Sequence, residues 1–146
     1  MGLGSAAQAS NPTPYSPLPA PLFIAARRRL RKKLLPGSVV ILNANDIYPT
    51  SADGTMDFRQ GSDLFYLSGV DQEETILVLF PDAADPKQRE MLFVRETNET
   101  IAVWEGEKLT KAQATDRSGI QRVHSFDLHD SAFQISVAEG DGAITP

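Results

Sequence analysis

The sequence contains no cysteine. That removes disulfides, thiolate nucleophiles and zinc ribbons together, and it fits a reducing compartment, so the expected location is cytoplasmic. Nor is there an apolar run of about 18 residues, the minimum for a helix that crosses a bilayer. The N-terminus also lacks the basic and apolar blocks of a secretory signal, so neither membrane insertion nor export is expected. Asn98-Glu99-Thr100 is accordingly read as a chance match to a glycosylation sequon. No Gly-rich phosphate loop and no G-x-S-x-G elbow occurs, which removes the usual signs of nucleotide binding and of serine hydrolysis. Histidine is scarce. His124 and His129 stand five apart, off the i, i+4 spacing of an H-E-x-x-H zinc site, and both are read as surface residues.

What is present suits one domain. A chain of 146 residues with 41% hydrophobic and 23% charged residues can bury a real core but cannot hold a two-domain enzyme. The net charge of −5 conceals an asymmetry. Arg27, Arg28, Arg29, Arg31, Lys32 and Lys33 hold 6 of the 14 basic residues, leaving 8 basic against 19 acidic residues, or −11, elsewhere. Such a chain is a poor polyanion binder unless this patch stands clear of the acidic remainder, so no nucleic-acid partner is expected.

Residues 1–21 form a Pro/Gly/Ser-rich leader, read as flexible, with an SH3-type ligand as the other reading. Residues 22–35 predict a helix: Leu22, Ala26, Leu30 and Leu34 make an apolar stripe and Pro36-Gly37 ends it. Its basic face is read as solvated, the alternative being a localisation signal or an anion-contacting patch. Strands are expected at 38–43, across the Leu64 to Ser68 run, at 75–80, 90–94 and 101–104, and as an edge at 121–123. The first three read as strands buried on both faces. Residues 45–62 form a long polar loop, the expected place of contact with another domain or subunit. Its Asp46, Asp53 and Asp57, with Asp63, fit no EF-hand spacing and are read as solvating the loop. Helices are expected at 110–117, capped by Thr110 and stopped by Gly119, and at 127–134, followed by a loose tail at 136–146. Helix followed by buried strand predicts an α/β class, a mixed sheet flanked by helices.

One stretch organises the rest. Arg59-Gln60-x-Ser62-Asp63-x-Phe65-Tyr66-Leu67-Ser68-Gly69, followed by Glu73-Glu74 and an apolar strand, resembles a segment of the N-terminal domain of aminopeptidase P, the Xaa-Pro aminopeptidases of the creatinase/prolidase-like pita-bread group. Three further segments fall in the order that family has: Arg27-Arg28-Arg29-Leu30 with Leu35-Pro36-Gly37-Ser38, then Met91-Leu92-Phe93-Val94, then Ala102-Val103-Trp104-Glu105-Gly106. The sequence departs mildly from the pattern at Gly61 and Leu64.

The resemblance implies a creatinase-type N-terminal fold with a ribonuclease H-like motif over residues 22–135. It implies a non-catalytic part of a manganese-dependent enzyme that removes the residue before proline. The two Mn²⁺ ions and their ligands would belong to a separate catalytic domain, and this segment would contribute oligomerisation, as dimer or tetramer, and gating of Xaa-Pro peptides. By the same resemblance Trp104 reaches a neighbouring subunit's substrate pocket, the alternative being a core tryptophan. Arg59 and Asp63, four apart, suggest an ion pair or cap that fixes the loop. Tyr66 reads as a core residue with its hydroxyl at the rim, and Gly69 as the turn. A reading from a different class is a stand-alone peptide- or protein-binding module derived from the same fold.

Overall fold

Pro19 and Pro21 open the first helix. Proline fits there because the first N–H groups of a helix have no internal partner and the ring presets a helical φ. The computed structural model describes residues 18–47, 49, 54, 56–96 and 108–125. Helix α1 covers Ala20–Arg31, with Arg28, Arg29 and Arg31 in its last turn, where cations complement the dipole. Its buried face differs from the expected stripe. Phe23, Ala26 and Arg27 are buried, whereas Leu22 is exposed. The rotation arises because Phe23 packs on Gly69 and Ala26 joins the core cluster with Leu64, Leu67 and Ala114, a tertiary demand that leucine spacing alone does not reveal.

Strands β1 (Val40–Asn43), β2 (Ile76–Leu79), β3 (Glu90–Val94) and β4 (Val123–Ser125) form a mixed sheet in the order β1-β2-β3-β4. The first three are antiparallel, with Ile41 opposite Val78 and Leu77 opposite Leu92. Strand β4 runs parallel to β3, with Leu92 opposite Val123. Strand β1 was expected to be buried on both faces. Instead its exposure alternates, with Ile41 outward, because it is an edge of the sheet among the described residues and has one covered face.

The Leu64 to Ser68 run is not a strand. It lies in helix α2, Ser62–Ser68, with Leu64, Leu67 and Ser68 buried. That i, i+3, i+4 spacing defines one helical face. Helix α3, Lys111–Ser118, begins at a capping box in which Thr110 accepts from the N–H of Gln113 and the Gln113 side chain accepts from the N–H of Thr110. Both short helices end in the same way. Ser68 Oγ donates to the carbonyl of Leu64 and accepts from the N–H of Val70; Ser118 does the same with Ala114 and Ile120. Gly69 and Gly119 then take left-handed caps at φ 69° and 72°. Phe23 and Ile24, neighbours on α1, each cover one of these glycines.

The core has two halves. Ala26, Leu64, Leu67 and Ala114 from the helices pack on Leu77, Leu79, Leu92 and Val94, while Val78, Phe80, Met91 and Phe93 form the cluster on the opposite face. Each buried side chain of this size contributes about 1.5–3 kcal/mol relative to exposure. Arg27 fastens the helical layer to the sheet. It is fully buried, its Nη1 donates to the carbonyl of Leu67 at 2.7 Å, and its Nε lies 3.2 Å from Glu90 Oε2. The basic face of α1, expected from sequence to be solvated, is thus buried at Arg27. The expected strand at 101–104 and helix at 127–134, and the tail at 136–146, lie outside the described residues.

Candidate functional site

The arrangement around Gln60 is a polar clasp. Its Nε2 donates to the carbonyls of Val70 and Gln72, at 3.1 and 2.9 Å. Its Oε1 accepts from the N–H of Gly61 at 3.0 Å and from that of Asn45 at 3.4 Å. One amide therefore joins the end of β1, the entry to α2 and the chain leaving α2. Buried amides need both donors and acceptors matched, and here they are. Asn45 adds a bond from Nδ2 to the carbonyl of Arg59, 3.0 Å. A β-carbon at Gly61 would stand 3.3 Å from Asn45 Oδ1, so the glycine here suits this particular asparagine placement.

Gln72, buried, repeats the arrangement one step inward. It donates from Nε2 to the carbonyl of Arg95 and accepts at Oε1 from the N–H of Leu109, at 2.9 and 2.7 Å. The Glu73-Glu74 pair carries ion pairs. Glu73 meets the buried ammonium of Lys108, and Glu74 Oε2 lies 2.7 Å from Arg95 Nη1. Burial pushes the Lys108 ammonium below its ordinary range, and the adjacent carboxylate compensates the charge. Gln72, Lys108 and Arg27 were not singled out from sequence. The adjacent acidic pair Glu73-Glu74 was the available sign that cations would be needed nearby.

Among the described residues no ion pair joins Arg59 to Asp63; both are exposed, and the loop is held by Gln60 and Asn45 instead. Tyr66 is a correction as well. It is 57% exposed, not core, because the helical turn of α2 aims it away from the buried Leu64–Leu67 face. Its hydroxyl accepts from Arg29 Nη2 at 2.9 Å. Tyr66 and Arg29 edge a groove of about 440 Å³ whose floor includes Leu30, Val40, Leu42 and Leu67. Gly69 holds the left-handed cap described above. Trp104 and His129 lie outside the described residues.

His124 is half-buried, stacked on Phe93 with ring centroids 5.0 Å apart, and its Nε2 accepts from Arg122 Nε at 3.2 Å. Desolvation, then the charges of Arg122 and Lys111, lower its pKa below 6.5. This histidine is a neutral acceptor held by packing. Among the described residues no group of three or more histidine, aspartate or glutamate side chains could hold a metal ion, and no helix is long and apolar enough to cross a membrane.

The antiparallel three-strand unit extended by a parallel fourth strand, with the Gln60 clasp joining β1 to α2, is the framework against which relatives can be compared. Residues 23–144 match the family of the aminopeptidase P N-terminal domain, and the chain belongs to it. It is 29% identical over 114 residues to an Xaa-Pro aminopeptidase of Escherichia coli K12, an alignment covering 77% of this chain and 26% of that protein. Identity to Xaa-Pro aminopeptidase 3 of Dictyostelium discoideum is 34% over 84 residues, 58% of this chain and 16% of that protein. The solved structure of Pseudomonas aeruginosa aminopeptidase PepP superposes with a TM-score of 0.67 at 26% identity, covering 74% of this chain and 24% of that one. Escherichia coli aminopeptidase P in its low-pH form gives a TM-score of 0.65 at 29% identity, over 75% and 25%. The chain thus spans about a quarter of the length of the first of these relatives.

Proposed function

We propose that this chain is the non-catalytic N-terminal domain of a manganese-dependent Xaa-Pro aminopeptidase, and that it serves oligomerisation and substrate gating. The observation that carries the reading is the family match across residues 23–144. The two metal ions would sit in a C-terminal catalytic domain, where a bridged pair of divalent ions activates water and stabilises the developing oxyanion. The described residues of this chain do not fit that pair: they hold no group of three or more histidine, aspartate or glutamate side chains that could bind a metal ion. The chain's part is to shape and cover. Trp104 is the proposed contact with a neighbouring subunit's substrate pocket.

The test has two arms. The purified chain, given manganese and an Xaa-Pro tripeptide, is expected to hydrolyse none of it; metal-dependent turnover defeats the non-catalytic assignment. In a full-length protein carrying this domain, Trp104→Ala is expected to lower activity or dissociate the oligomer while changing the domain's stability by less than about 1 kcal/mol. A fully active, intact oligomer overturns the gating role. A drop of about 3–5 kcal/mol in the isolated chain marks Trp104 as core instead.

A further inference from the structure

A groove of about 600 Å³ opens where the end of α1, the β2–β3 loop and the loop leaving α3 meet. Four cationic side chains line it, Arg31, Lys87, Arg89 and Arg122, against one carboxylate, Glu90. That carboxylate is already engaged. Its Oε2 lies 3.2 Å from Nε of Arg27 and its Oε1 3.3 Å from Nη1 of Arg31. Arg27 stands fully buried behind it, and its Nη2 has no hydrogen-bond partner among the described residues. The described ion pairs bring in one more acid, Asp85, 3.9 Å from Arg122 Nη1 and half exposed. Its other oxygen accepts from the N–H of Lys87.

These five cations and two carboxylates leave three positive charges in surplus, in a chain whose net charge is −5. Such a concentration attracts anions. Arg89 uses Nε to hold the carbonyl of Ala83, and Arg122 uses Nε on His124. Both anchors orient a guanidinium through Nε; on Arg122 one outer amino group faces the half-exposed Asp85, and Nη2 points to no acid among the described ion pairs. Planar guanidinium forks suit phosphate oxygens in pairs, and a lysine adds an adjustable point charge. The volume suits a small molecule.

We propose that this groove binds a small, multiply charged phosphate compound, held by Arg31, Arg89 and Arg122 with Lys87 as the fourth contact. The inference is independent of the peptidase reading: it needs neither a catalytic domain nor a peptide. It also gives a role to part of the basic run on α1. Arg31 contributes there because residues from two distant loops join it, which a view of the helix alone does not provide.

Calorimetry with sodium tripolyphosphate at constant ionic strength tests the site on the 146-residue chain. Saturable one-to-one binding is expected, with a rise in Tm that follows ligand concentration. Lys87→Gln combined with Arg122→Gln should weaken binding by about tenfold or more. Lys32→Gln combined with Lys33→Gln, an equal change of charge on exposed residues of the segment ending α1, should alter it by less than about twofold. Absence of saturable binding to the unaltered chain overturns the proposal. So does an equal loss in both double variants, or equally tight binding of sulfate, since either result describes a general charge effect. Vesicles of phosphatidylcholine containing a phosphatidylinositol bisphosphate separate the sources: binding to them that depends on Lys87 and Arg122 assigns a lipid headgroup, and binding restricted to tripolyphosphate assigns a soluble compound.

Discussion

The ring of Phe23 occupies the space that a side chain on Gly69 would need: a β-carbon built there meets Phe23 Cζ at 2.6 Å. Gly69 is also at φ 69°, so backbone and packing demand glycine for separate reasons. Gly69→Ala should therefore cost about 2–4 kcal/mol, combining the left-handed penalty with overpacking. Urea titration at unchanged slope reads this directly. In the double variant with Phe23→Ala the two losses should fall short of their sum by about 0.5–3 kcal/mol, whereas strict additivity would show that the ring does not press on the cap.

Gln60→Leu tests the clasp. The substitution keeps approximate size but strips two carbonyls of a donor and two N–H groups of an acceptor. A loss of about 1–3 kcal/mol is expected, with faster amide exchange at Gly61 and Asn45. Unchanged exchange at both amides would mean that Gln60 does not hold the loop.

The strands 75–80 and 90–94 and the helix 110–117 were legible because β-branched and apolar runs, or a Thr cap with a glycine stop, state local preferences that the fold respects. The Leu64 to Ser68 run was not. Its aromatic residues favour a strand by propensity, and a seven-residue helix is too short for periodicity to outweigh them. The Ser-Gly pair that ends it recurs at Ser118-Gly119, and only the second instance followed a segment rich in helix formers. Arg27 was hidden for another reason. Its partners, Leu67 and Glu90, come from distant elements, so five neighbouring basic residues in sequence look alike until the sheet is in place. Gln60 was legible as part of a motif, but its four hydrogen bonds depend on loops that sequence spacing does not position.

Arg27→Met should lower stability by about 3 kcal/mol. It removes the donor to the Leu67 carbonyl and one cation from Glu90, leaving Arg31 as partner. Adding Glu90→Gln should recover part of the loss, because the carboxylate left with less compensation is then gone. Thermal or urea unfolding of the two variants checks the sequence of effects. A single variant within about 0.5 kcal/mol of the parent would show that the buried guanidinium fastens nothing.

His124 supplies a pH dependence whose sign follows from its surroundings. Burial and the charges of Arg122 and Lys111 disfavour the imidazolium, so the folded chain releases this proton below 6.5, the value of the free side chain. In the window between those two values the unfolded chain binds more protons at this residue, and stability therefore rises with pH. Above about 6.5 the residue exacts no penalty; as pH falls through 6.5 the penalty grows, and it levels off once the folded imidazole is protonated too. Protonation would also turn Nε2 from acceptor to donor opposite Arg122 Nε. Urea midpoints measured from pH 7.5 to 5 for the parent and for His124→Gln should converge as pH falls, the parent losing more. Every other ionisable group is common to both proteins, so the difference between the curves isolates His124. A difference that stays constant across the range would show that His124 titrates alike in the folded and unfolded chain.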